Sequence, residues 1–349
     1  MESATLSAQM PLTMYLARQK TFEFFDALVE IAKDYPLEVV ERWDDADIVM
    51  KPTITHLNFA TMRNLKFFNN LLTSHDTLTE KSAFLKTGLA VMGERFFEVS
   101  PYTTLSADIK TPPNYLPAHP TLGHQAWIVK PTHLFGGQGV QVFWDLKSAR
   151  NHVLQHRRPG FNYLIQKYVE DTLLLRDRKF DVRVYVLATP DALYYYRDGF
   201  ARMAPQKYQK NVNDTDVHVT NCMLHGKGGV VRLPVIEEAG ITHEMLYDFV
   251  KQLKPLFVHA QHVENHYQTQ HRIQFTTFEI FGLDIIFDSN RRPWLLEVNK
   301  NPSITAEDPI KDLVYSLLED TLDVVVFKRS GDITREVIAT GTVRGWVPM

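Results

Sequence analysis

The stretch FEIFGLDIIFDSNRRPWLLEVN, Phe278–Asn299, constrains the fold more than any other part of the chain. Two apolar runs flank the polar segment Asp288–Arg291, the pattern of a β-hairpin whose strands head for a core. Each run nevertheless carries a carboxylate, Asp284 in the first and Glu297 in the second, and Asn299 follows on the second. Folding the segment symmetrically about Asn290 and Arg291 sets Asp284 opposite Glu297, and strand alternation places Asn299 on Glu297's face. An unpaired buried carboxylate costs several kcal/mol or takes up a proton. A basic partner or a metal ion must therefore compensate it. Two carboxylates and an amide oxygen on one spot form an all-oxygen site of the kind that suits Mg²⁺. A core arginine on each carboxylate is the structural alternative.

The segment RKFDVRVYVL, Arg178–Leu187, alternates in the same way. Phe180, Val182, Val184 and Val186 share one face, and Lys179, Asp181 and Arg183 the other. A solvated sheet face would account for such a row of charges. Beside a hard cation, lysines and arginines are also the groups that bind and neutralise a polyphosphate. Arg202, on the far side of the next hairpin, is placed to reach the same spot.

In WIVKPTHLFGGQGVQVFW, Lys130 ends one strand and Gly136, Gly137, Gln138 and Gly139 turn the chain back into another. The loop lacks the GK[ST] of a Walker A motif, and a strand rather than a helix follows it. Its backbone amides can still cover phosphates. In YLIQKYV, an apolar strand gives way to Gln166, Lys167, Tyr168 and Val169, a hinge-like stretch whose backbone can meet a base edge.

The 349 residues exceed what one small core organises, so two or three subdomains are expected. Strands expected at 13–17, 46–50, 127–130, 140–144, 163–169, 180–188, 194–197, 278–287 and 294–299 are interleaved with helices. Thr21 caps a first helix, and Thr77–Glu80 reads as a capping box for one that runs to Lys86 and stops at Gly88. A long helix spans 242–268 with a bend at Pro255, and Ile310–Val326 is the last; Ser100–His124 reads as loop. Hairpins with helices between them indicate an α+β fold. A net charge of −3 argues against a strongly basic nucleic-acid binder, and no segment reaches the length of a membrane span. The single cysteine, Cys222, has no His/Asp pattern around it and reads as a structural thiol. A cytoplasmic enzyme or binding protein is the expectation.

Taken together, WIVKP…GQGV, LIQKYV, KFDVRVYVL, YRDGFAR, HVTN, FEIFGLD and PWLLEVNKNPS resemble the tubulin tyrosine ligase-like family of the ATP-grasp superfamily. The resemblance runs from about Asn70 to Val326. It implies an ATP-grasp fold: a small α/β N-terminal domain over 1–76, a central domain over 77–170 and a C-terminal domain over 171–349, with antiparallel sheets of the last two clamping ATP. By the same resemblance Asp284, Glu297 and Asn299 would hold Mg²⁺, and Lys81, Lys130 and Lys179 would meet the nucleotide. Gln166–Val169 would form the adenine hinge, and Asp181 would position ribose or a lysine. Arg183 and Arg202 would act near the γ-phosphate, with Thr220 and Asn221 at the junction of ATP and amino acid.

The implied activity is ATP-dependent addition of an amino acid, glutamate before tyrosine or glycine, to a protein carboxylate such as a tubulin tail. An ATP-grasp ligase for a small molecule or peptide and a non-catalytic binding module are the alternatives. Two features depart from the family pattern. THLFGG, Thr132–Gly137, is more apolar than the serine-rich loop of the family, and the long basic C-terminal extension of microtubule-binding glutamylases does not follow. A preference for soluble tubulin or another partner is then expected. His152, His156, Arg157, Arg158, Lys207 and Lys210 are the basic residues available to an acidic tail.

Overall fold

A computed structural model of the protein describes residues 11–16, 24–50, 64–105, 126–134, 136–156, 161–220, 229–300, 302, 308–327 and 345–349. Thr21, Arg157, Arg158, Asn221 and Cys222 lie outside the described residues. The chain opens with four short strands, β1 (Leu12–Leu16), β2 (Leu37–Val40), β3 (Ile48–Met50) and β4 (Phe67–Asn69). They pair in parallel, in the order β2-β1-β3-β4. Next come β5 (Thr103–Leu105), β6 (Trp127–Pro131), β7 (Gln141–Phe143) and β8 (Tyr163–Lys167), which form a separate antiparallel sheet in the order β5-β8-β6-β7.

The remaining strands are β9 (Leu174–Leu175), β10 (Arg178–Ala188), β11 (Leu193–Tyr196), β12 (Phe200–Met203), β13 (Val230–Arg232), β14 (Thr276–Phe287), β15 (Pro293–Lys300) and β16 (Trp346–Pro348). Antiparallel pairing orders four of them β13-β12-β10-β14, with β15 also on β14. The first three residues of β14 pair in parallel with β4, which fuses the N-terminal strands to this sheet. The architecture is a mixed α/β fold with one mixed sheet and one antiparallel sheet.

Alternation along β10 and β14 sends side chains to two different cores. Phe180, Val182, Val184, Val186, Phe281, Leu283, Ile285 and Phe287 face the helices His243–Gln252 and Lys254–Gln270, packing on Leu246, Phe249, Leu256 and Phe257. The opposite face is divided. Tyr185, Leu187, Phe278 and Ile280 join the core beneath the helix Lys311–Leu322, whereas Lys179, Asp181, Arg183 and Asp284 occupy its other half. Burying each large apolar side chain contributes about 1.5–3 kcal/mol. That gain supports a polar half-face the rest of the sheet could not otherwise tolerate.

Several sequence expectations shift. Thr77 does not cap the helix that follows: Glu80 does, accepting from the Ala83 amide at 2.7 Å, and the helix runs Lys81–Met92 straight through Gly88. Gly88 is a packing glycine, because a Cβ there would lie 2.4 Å from the Phe96 ring. The long helix is two, divided at Leu253, since Pro255 cannot donate to the preceding turn and instead occupies the first turn of the second. Within Ser100–His124, Thr103–Leu105 is a strand, recruited by β8 rather than by any periodicity of its own.

Candidate active site

The register of the large sheet assembles the site. Arg183 faces Asp284 across the β10–β14 ladder, Asp181 faces Arg202 across β10–β12, and Asp284 faces Glu297 across β14–β15. The side chains interlock. Arg183 Nε donates to Asp284 Oδ1 at 2.5 Å, Arg202 Nη2 reaches Asp284 Oδ2 at 2.8 Å, and Arg202 Nε donates to Asp181 Oδ1 at 2.7 Å. All four are buried. The Thr220 hydroxyl donates to the remaining oxygen of Asp181. Burial alone would raise the carboxyl pKa of Asp284, but Arg183 and Arg202 overwhelm it and hold the group well below the usual carboxylate range.

The opposed pair Asp284/Glu297 coincides with a β-bulge. Beyond it Ile285 pairs with Leu295, so Leu296 is the extra residue. The bulge explains how Leu295 and Val298, three apart, both reach the same core. Asn299 bridges the two carboxylates, its amide nitrogen 3.2 Å from Asp284 Oδ2 and 3.2 Å from Glu297 Oε1. Asp284 is therefore compensated by two arginines. Glu297 accepts a hydrogen bond only from Asn299 among the described residues and opens into a cleft. Arginine pairing thus accounts for Asp284, whereas Glu297 is the carboxylate that faces the cleft.

The cleft lies between the small sheet, β15 and the helix Lys81–Met92. Lys81, Lys130, Gln166, Glu297 and Asn299 line it, with Leu78, Phe84 and Phe96 as apolar wall. Lys130 and Gln166 point there because Trp127, Val129, Ile165 and Lys167 occupy the other face of the small sheet. Burial lowers the pKa of Lys130, opposed by Glu297 and reinforced by Lys81. Lys179, at the start of β10, is lowered to about 7 by burial and then by the charge of Lys130. Its ammonium donates to the Tyr168 hydroxyl at 2.8 Å and lies 4.0 Å from the centre of that ring.

Around this centre the other candidates take varied positions. Gly136, Gly137 and Gly139 all have positive φ, at 67°, 79° and 69°, so the loop from β6 to β7 follows a path that favours glycine. Lys81 Nζ donates to the Leu134 carbonyl of this loop at 2.7 Å. Gln138 is exposed. In the hinge, Gln166 donates to Thr103 Oγ1 at 2.9 Å and Lys167 places its ammonium over Trp127 on the face away from the cleft. The amides of Lys167 and Tyr168 are engaged by Tyr102 O and Ala126 O, and Val169 follows half-buried. Of the surface basic residues, Lys207 pairs with Asp177 and Lys210 with Asp171, while the rings of His152 and His156 stack.

Sequence reasoning overlooked the side chain of Tyr168, treated there as backbone only, and also His218, which contacts it. The signal was available: His218 opens the same HVTN segment that contains Thr220.

Comparison with known proteins gives a consistent picture. The model of the Tubulin-tyrosine ligase family matches residues 66–333. The tubulin glycylase 3D of Tetrahymena thermophila is 30% identical over 226 residues, covering 57% of this chain and 21% of its own. The probable tubulin polyglutamylase ttll-9 of Caenorhabditis elegans is 33% identical over 227 residues, covering 57% of this chain and 51% of its own. The human tubulin polyglutamylase TTLL5 is 30% identical over 229 residues, covering 58% of this chain and 17% of its own. The matched region is thus about half of the nematode relative and about a fifth of the other two.

Proposed function

The chain belongs to the tubulin-tyrosine ligase family, and from that premise we propose that it is an ATP-dependent carboxylate–amine ligase. It adds an amino acid to a protein carboxylate, with a tubulin tail as the acceptor and glutamate as the amino acid. The observation that carries this reading is the meeting of four opposite-charge groups, Arg183, Asp284, Arg202 and Asp181, with Glu297, Asn299 and the lysine-lined cleft. The polyglutamylases among its relatives favour glutamate, and the glycylase keeps glycine as the competitor to test. In this reading the fold is an ATP-grasp, with residues 77–170 and 171–349 closing on the nucleotide and 1–76 as a small N-terminal domain.

In the reaction, an acceptor carboxylate oxygen attacks the γ-phosphorus of ATP and ADP leaves. The amine of the incoming amino acid then attacks the acyl carbon, and phosphate departs as the amide forms. Arg183 and Arg202 are fixed by their aspartates, so they meet the developing phosphoryl charge without reorganising. Lys130 and Lys179 supply ammonium donors to the phosphates, and Lys81 secures the glycine loop above them. Asp284, Glu297 and Asn299 offer an oxygen set that fits Mg²⁺, provided the Asn299 amide turns its oxygen inward. When bound, that ion would neutralise phosphate charge. No side chain is required as a covalent nucleophile; positioning and electrostatics suffice.

The test is mass spectrometry of tubulin incubated with the protein, ATP, Mg²⁺ and all twenty amino acids, with Glu297→Gln as control. A mass increase by glutamyl units in the wild type alone is expected. Transfer by Glu297→Gln at the wild-type rate would remove Glu297 from the site. A panel of small carboxylates that are modified while tubulin is not would move the acceptor to a different class.

A further inference from the structure

A buried chain of hydrogen bonds runs from Lys179 to a histidine outside the site described above. Lys179 Nζ donates to the Tyr168 hydroxyl at 2.8 Å, and that hydroxyl lies 2.9 Å from His218 Nδ1. On the other side of the imidazole, His218 Nε2 lies 2.6 Å from the Val212 carbonyl. A carbonyl can only accept, so Nε2 carries the proton. In the neutral ring Nδ1 is then the acceptor for Tyr168. Along the chain the ammonium donates to Tyr168, Tyr168 donates to His218, and His218 donates to Val212, with the Tyr208 hydroxyl also within reach of Tyr168.

The surroundings favour the neutral ring. His218 is 3% exposed and is contacted edge-on by Trp144, Tyr168 and Tyr208. Burial lowers its pKa, the Val212 carbonyl opposes this, Lys179 lowers it further and Asp214 opposes again. The Tyr208 hydroxyl spends its own proton on the Glu170 carbonyl at 2.7 Å, so it does not compete to donate to His218.

Lys179 needs such an anchor. Among the described residues its one hydrogen-bond partner is Tyr168, and Lys130 repels it. An ammonium has three donors, so a single fixed bond orients the other two. We propose that His218 is a positioning residue: as the Nε2–H tautomer it fixes the Tyr168 hydroxyl, which in turn aims the free donors of Lys179 at the phosphates of a bound nucleotide. The proposal rests on the reading of Lys179 as a nucleotide-facing lysine.

The experiment has two parts, both on the full chain. The first is ¹⁵N NMR of histidine-labelled protein, with His218 assigned by His218→Gln. An unprotonated Nδ1 and protonated Nε2 at pH 7 are expected, and an imidazolium or the opposite tautomer would overturn the proposal. The second measures binding of a fluorescent ATP analogue. His218→Phe and Tyr168→Phe should each weaken binding about tenfold with unfolding midpoints close to wild type, and combining them should add nothing further. His218→Gln, whose amide can accept from Tyr168 and donate to Val212, should recover most of the affinity. Wild-type affinity in His218→Phe would overturn this proposal alone. Failure of the wild type to bind any adenine nucleotide would overturn it together with the ligase reading.

Discussion

Arg183 and Asp284, opposite one another on antiparallel strands, meet at 2.5 Å with both side chains nearly sealed from water. Neither group could occupy that position alone, because a buried charge without its partner is strongly penalised. Arg202 shares the same carboxylate. Asp284→Ala therefore strands the Arg183 guanidinium and leaves Arg202 with Asp181 alone, and should lower the unfolding free energy by about 3–5 kcal/mol, read from the midpoint of a urea transition. Glu297→Gln, whose carboxylate accepts a hydrogen bond only from Asn299 among the described residues, should cost about 1 kcal/mol or less. Because the Asp284 carboxyl is held below its ordinary pKa, its contribution is complete above the unfolded value and fades only as acid protonates the folded state.

Lys179, with a pKa of about 7, is only partly charged at neutral pH before nucleotide binds. Phosphate oxygens favour the ammonium and raise its pKa, so binding takes up a proton. Calorimetry near pH 8 should show a binding heat that varies with the ionisation enthalpy of the buffer. Affinity should weaken as pH rises above about 7. Lys179→Met should abolish the buffer dependence.

Glu279 is fully buried, beside the Ser74 side chain, with one oxygen on the Leu71 amide at 3.0 Å and the other without a hydrogen-bond partner among the described residues. Burial raises its pKa to about 8. The folded state thus holds a proton that the unfolded chain releases near pH 4.5. Between those values stability falls as pH rises, with a slope of up to about 1.4 kcal/mol per pH unit from this group. Glu279→Gln should flatten that slope, so its advantage over wild type grows from pH 5 to about pH 8 in urea titrations.

Gly88 lets the helix Lys81–Met92 lie against Phe96, which is 1% exposed. Gly88→Ala should be destabilising despite alanine's better helix propensity, by about 1–3 kcal/mol, since the added methyl must displace a packed ring. Thermal unfolding monitored by circular dichroism would read the loss.

The parts of this structure legible in the sequence are those governed by a single period. Alternation along Arg178–Ala188 gave the correct face for Lys179, Asp181 and Arg183, and one turn sufficed to set Asp284 against Glu297. Symmetry did not reveal the bulge at Leu296, which depends on where Leu295 and Val298 find their core. Phe67–Asn69 is three residues long, too short for alternation to show, so its docking onto β14 was invisible. Capping at Glu80 rather than Thr77 is likewise a tertiary outcome, decided by how the chain enters the helix from the turns before it. The tie between Tyr168 and His218 spans fifty residues and has no sequence period at all.

The fusion of β4 to the opening residues of β14 carries a liability. Phe67–Asn69 covers the backbone of Thr276–Phe278, and Phe278 beneath is wholly enclosed. Trimming the chain from its N-terminus past Asn69 would uncover a ready template of amides, carbonyls and an aromatic ring. Such a fragment would keep the charged half-face of Lys179, Asp181, Arg183 and Asp284 and yet tend to recruit foreign strands into fibrous or amorphous aggregates.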